Sequence, residues 1–128
     1  MADEELVAPV EEIPDSDSVF MRAHRNYMRD GAIGRGVFTA HEGAMSVDWD
    51  KYSSAECTRE RGKQSPENYA VIQMGVGGIR QIKDLDVKHS PEVDNRAHSD
   101  VNLPENADLT EVRLKLGRIA TVVIPLQS

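Results

Sequence analysis

The chain predicts an α+β fold: a small, mainly antiparallel sheet with a C-terminal amphipathic helix packed on one face. Three observations carry this. Residues 108–124 place Leu109, Val112, Leu116, Ile119, Ala120 and Val123 at three- and four-residue steps, which is one apolar stripe on a helix. Residues 69–74 (Y-A-V-I-Q-M) are rich in β-formers and bounded by turn residues. A length of 128 residues suits one domain and a core that needs no staple.

Taken in order, residues 1–17 read as a flexible acidic tail, and residues 18–128 as the single domain. The tail holds Pro9 and Pro14, many acids and no apolar period. It serves either as a solubilising tail or as one that folds onto Arg22, Arg25, Arg29 and Arg35, which only Asp30 counters locally. Residues 19–24 form the first strand, with Val19, Met21 and Ala23 on one face and Phe20, Arg22 and His24 on the other. A helix over 18–29 competes, because Phe20, Met21, His24 and Met28 also fit a helical period.

Asp30-Gly31 is a turn. Residues 37–40 and 45–49 read as two short strands joined through Glu42-Gly43. Ser53 or Ser54 caps a short helix that runs to about Arg61 and stops at Gly62. The 69–74 strand belongs in the centre of the sheet. Gly75, Gly77 and Gly78 break it, residues 79–82 make one helical turn, and a strand follows at 85–88. After a loop, residues 96–103 resume as a strand with Arg96, His98 and Asp100 on one face. Asp108 caps the last helix, Glu111 completes a capping-box spacing, and Pro125 stops the helix.

Composition narrows the function classes. Charged residues make up 29% and hydrophobic residues 39%, the balance of a soluble globular chain. Seven acids precede the first basic residue, Arg22, so the net charge of -7 sits in the first 17 residues and the remainder is formally neutral. A neutral body and 5% aromatics argue against a broad nucleic-acid surface. No apolar run is long enough to span a bilayer, and the acidic start is not that of a signal peptide. The single Cys57 cannot form an internal disulfide. These features predict a cytoplasmic protein.

The candidate site comes from a repeated Arg-Ala-His at 22–24 and 96–98. Both copies fall on predicted strands with Arg and His on one face. If the strands are close, Arg22 and Arg96 can hold an anion, with Arg35 as a further binding residue, while His24 and His98 move a proton. Asp100 would orient His98. The alternative is an open polar face with ordinary ion pairs. No metal is expected: His41-Glu42-Gly43-Ala44-Met45 starts like H-E-x-x-H but ends in methionine, and Cys57 has no cysteine partner. The glycine clusters at 31–36 and 75–78 match no phosphate-loop pattern and read as turns. Nucleophilic catalysis lacks a G-x-S-x-G element. Leu114 and Val122 fall outside the apolar stripe and mark a possible partner-facing contact.

Arg22-Ala23-His24, Ser46-Val47-Asp48 and Asn95-Arg96-Ala97-His98-Ser99 occur in an order that resembles a loose group of small uncharacterised bacterial proteins. That group has an early R-x-H strand, an S-V-D segment and a late N-P-A-H-A-like segment. The chain departs from it at Arg96, where the group has proline, and at Ser99. The resemblance implies a bacterial source and draws attention to His24 and His98; it implies no activity or cofactor.

Two functions follow as expectations. One is an interaction or accessory protein acting through contacts with a protein partner. The other is a small enzyme or ligand-binding domain for a phosphorylated or nucleotide-like molecule, using the paired Arg and His residues.

Overall fold

A computed structural model describes residues 7–126. Its centre is a six-stranded antiparallel sheet, with β1 (Ser18–His24), β4 (Ala44–Trp49), β5 (Tyr69–Gly75), β6 (Asp86–His89), β7 (His98–Asn102) and β8 (Thr121–Ile124) in the order β6-β7-β4-β1-β5-β8. A two-stranded hairpin, β2 (Met28–Arg29) and β3 (Ala32–Ile33), stands apart. Asp30 and Gly31 turn it with φ of 54° and 85°, the left-handed backbone that a two-residue hairpin requires. Three helices complete the fold: α1 (Ala55–Glu60), α2 (Val76–Gln81) and α3 (Leu109–Ile119).

Alternation in the strands sets the two faces. Val19, Met21 and Ala23 of β1, Met45 and Val47 of β4, Ile72 and Met74 of β5 and Val101 of β7 are buried together. Ile79 of α2 and Val112 and Leu116 of α3 close this core, with Phe38. The opposite face is polar and is partly covered by α1, whose residues pack on β5 and β1. The first strand of the chain therefore has the face assignment that its sequence predicts, and the α+β class stands.

Several boundaries differ from expectation. The last helix stops at Ile119, and residues 121–124 form β8 against β5, with Val122 opposite Ile72. Thr121-Val122-Val123-Ile124 is a β-branched run, which favours a strand once the edge of β5 is within reach. Ala120 and Val123 consequently leave the stripe, and Leu109 is 44% exposed. The expected strand at 37–40 is a short 3-10 turn, Arg35–Val37, and the hairpin at Glu42-Gly43 keeps only the His41–Ala44 bridge. The 69–74 strand ends at Gly75 as expected, and Gly77 and Gly78 lie inside α2, where a Cβ at Gly77 would come within 3.1 Å of the Asp15 carbonyl.

The segment assigned to a flexible tail is also more ordered than its composition predicts. Its residues 1–6 lie outside the described residues. Ile13 is 3% exposed and belongs to the core. The acids of this segment meet basic groups other than the arginines expected: Glu11 meets Lys51 and Arg96, and Asp15 meets Arg80. Asp17 accepts from the Trp49 indole at 2.9 Å. Buried Ile13 is joined by backbone bonds that also hold this segment: the Glu11 amide donates to His89, and the Ile13, Asp15 and Asp17 carbonyls accept from Arg80, Gly77 and Val76.

Candidate functional site

The polar sheet face carries a cleft of about 460 Å³ between α1 and the 90–97 loop. Its floor is built by alternation: Phe20 and Arg22 project from β1, Ser46 and Asp48 from β4, and His98 from β7. Register aligns them, because Asp48 pairs across to Phe20 on one side and to His98 on the other.

Asp48 is the anchor of the cleft and is 4% exposed. Its carboxylate accepts from the Thr58 hydroxyl at 2.8 Å, Arg61 Nη1 at 3.0 Å and Asn95 Nδ2 at 2.8 Å. A desolvated carboxylate is costly unless its lone pairs are occupied, and here three donors occupy them. The donors come from α1, the residue capping its C-terminus, and the 90–97 loop. One aspartate thus holds both cleft walls to the sheet.

His98 is positioned by Ser90. The Ser90 carbonyl can only accept, so Nδ1, 2.9 Å away, carries the hydrogen. Nε2 is left as an acceptor, 3.3 Å from Ser46 Oγ and 3.8 Å from Glu92 Oε2. Asp100 lies on the same strand face but pairs across to Ser46 and Lys88 and does not orient His98, whose side chain meets Ser90, Ser46 and Glu92.

Arg22 is partly buried and donates from Nη1 to the Thr58 carbonyl at 2.8 Å. Among the described residues no carboxylate lies within ion-pair distance of it. Arg22 and Ser46 also line a second depression of about 350 Å³, together with His24, Tyr27 and Tyr69. The two spaces therefore adjoin, with Arg22 at their junction.

The predicted site residues are divided by this geometry. Arg22 and His98 share the cleft, and His24 lines the adjoining depression. His24 is held in place on both nitrogens: Nδ1 accepts from the Asn26 amide at 3.1 Å, and Nε2 donates to Gln64 Oε1 at 2.9 Å. Arg96 precedes β7 rather than lying on it, so it does not share the His98 face. Its guanidinium sits 4.1 Å from the Tyr52 ring centre and 3.6 Å from Glu11. Arg35 is exposed in its 3-10 turn and lines neither space.

Sequence reasoning did not assign Asp48, Arg61, Thr58 or Asn95 to an anion-binding site. Asp48 carried one signal: it is the only acid in a strand, A-M-S-V-D-W, whose neighbours are apolar. Alternation alone places it on the solvent face, and only α1 and the distant loop bury it. No group of three or more metal-ligating side chains gathers among the described residues. No helix among them is long and apolar enough to cross a membrane. Comparison with protein-family models, curated proteins and solved structures finds no match.

Proposed function

We propose that the chain is a binding domain for a small phosphate-bearing molecule, held in the cleft with its anionic group on Arg22. The observation that carries this is the state of Arg22: a partly buried guanidinium at the junction of two polar spaces, without a carboxylate partner among the described residues. A guanidinium offers several donors in a plane and suits phosphate oxygens. Glu92 and Asp94 on the far wall suit hydroxyl or amine groups of the same ligand. The volume of the cleft is within the range of small-molecule sites. His98 Nε2 can accept a proton from a ligand hydroxyl there, which would make the domain an acid-base catalyst.

The test is thermal denaturation of the full chain with inorganic phosphate, ribose 5-phosphate and ribose. A ligand of the folded state raises the melting temperature by mass action. Ribose 5-phosphate is expected to raise it, ribose is not, and Arg22→Ala should abolish the shift. Equal behaviour of ribose and its phosphate would remove the role given to Arg22.

The interaction reading draws on the acidic 1–17 segment, Leu114 and Val122; of these Leu114 is 45% exposed, and Leu109 of the predicted stripe is 44% exposed as well. Five residues separate the two leucines, so they stand on different sides of the helix. Val122, grouped with Leu114 by the sequence, packs against the core. The cleft supports its reading with more residues acting together.

A further inference from the structure

We infer that the ligand is a nucleotide conjugate whose flat heterocycle lies in the depression beside Tyr27. This rests on the phosphate reading above and adds the group on the other side of Arg22. The cleft and the depression differ in chemistry. The cleft wall is acidic, with Glu92 and Asp94. The depression is walled by four rings, His24, Tyr27, His41 and Tyr69. His24 meets Tyr27 edge-on at 6.4 Å and Tyr69 edge-on at 5.6 Å between ring centres.

The rings are built in place. A Cβ at Gly36 would press into the Tyr27 ring, so the glycine lets that ring lie against the 3-10 turn. Gly62 does the same for Tyr69, whose hydroxyl also accepts from the Gln64 amide at 3.2 Å. His24 is pinned at both nitrogens, as described. Tyr27 remains 49% exposed, an unusual state for a ring so supported. A pre-set ring with an open side is what stacking needs, because little side-chain freedom is lost when a base arrives.

Order along the groove then defines the ligand. The ring compartment is on one side, Arg22 and Ser46 are shared at the junction, His98 stands beside Ser46, and the acidic wall of the cleft is on the other side. A phosphate on Arg22 therefore links a heterocycle on one side to a hydroxyl-bearing group on the other. The acids of the cleft accept from those hydroxyls and repel a second free anion, which selects a conjugate over a free terminal phosphate.

ADP-ribose, AMP and ribose 5-phosphate separate these contributions when titrated calorimetrically into the full chain. ADP-ribose is expected to bind at least tenfold tighter than ribose 5-phosphate, and also tighter than AMP. Tyr27→Ala should bring ADP-ribose down about tenfold, toward ribose 5-phosphate, while ribose 5-phosphate is unchanged. Tyr27→Leu, which keeps the bulk and removes the ring face, should do the same if Tyr27→Ala fails to fold. Equal affinity of ADP-ribose and ribose 5-phosphate, or an ADP-ribose affinity indifferent to Tyr27, would overturn the ring compartment and leave the phosphate reading standing. Absence of binding by all three would overturn both.

Discussion

Asn95 Nδ2 donates to the buried Asp48 carboxylate at 2.8 Å and so ties the 90–97 loop to the middle of the sheet. The residues are 47 positions apart in the chain. On the far side of the same loop, His89 Nε2 donates to the Arg96 carbonyl at 2.7 Å, while His89 Nδ1 accepts from the Glu11 amide at 3.0 Å. The cleft wall is therefore held from the sheet and from the N-terminal strap at once.

Removing the anchor should loosen the wall and lower stability. Asp48→Ala leaves Arg61 without its carboxylate and Asn95 and Thr58 without their acceptor. Arg61 stays one-third exposed, so water replaces part of the loss. The expected cost is about 2–3 kcal/mol, below the figure for a fully buried pair. Urea unfolding followed by fluorescence of Trp49, the single tryptophan, measures it. Amide exchange should quicken in residues 90–97. Unchanged exchange there would show that the loop is held by other contacts.

The strap gives a pH dependence of defined sign. Hydrogen bonds from Lys51 and Tyr52, then the nearby charges of Lys51 and Arg96, hold the Glu11 carboxyl down at about 2, against an ordinary value of 4.5. A depressed carboxyl stabilises the fold fully above the unfolded value, and the contribution is lost as pH falls through the folded one. Wild-type stability should therefore fall between about pH 4.5 and pH 2 through Glu11. Glu11→Gln should flatten that part of the profile in urea titrations at stepped pH. An identical profile in the variant would mean that other carboxyls govern acid unfolding.

Two glycines should respond in opposite directions. Gly117 lies within α3, and a Cβ there meets nothing within 4 Å. Gly117→Ala should stabilise by about 0.5–1 kcal/mol through helix propensity and a less free unfolded chain. A Cβ at Gly34 would overlap the Tyr27 carbonyl, to which the Gly34 amide already donates at 2.9 Å. The obstacle is backbone and cannot swing aside, so Gly34→Ala should cost about 1–3 kcal/mol. Thermal melts of the two variants beside wild type decide this.

On α3 the packing contrast is between Leu116 and Leu114. Leu116 is completely buried. Leu116→Ala should cost about 3 kcal/mol, the transfer loss plus a cavity. Leu114→Ala should change stability by less than about 0.5 kcal/mol. Similar losses at both positions would mean that α3 is rotated relative to the sheet.

Much of the architecture was legible from local chemistry. Period-two alternation set the faces of β1, Ser54 capped α1 by accepting from the Cys57 amide at 3.1 Å, and Asp108 capped α3 at 3.2 Å. Asp30-Gly31 and Glu42-Gly43 turned the chain where their backbone preferences said. Of the candidate cleft, the placement of Arg22 and His98 along its lining was legible because both stand on the polar face of a strand. Arg96 failed because its strand begins two residues later, so it swings onto Tyr52.

What the sequence determined by itself is what depends on neighbours a few positions away: the caps, the turns, strand faces and the α+β class. Tertiary structure decided which strands became neighbours, the change from helix to strand after Ile119, the docking of the acidic strap and the burial of Asp48. Each of these depends on groups tens of residues away whose free energy exists only once the sheet has formed. Thr121-Val122-Val123-Ile124 becomes a strand because β5 offers it an edge, and Asp48 becomes an anchor because Thr58, Arg61 and Asn95 arrive together.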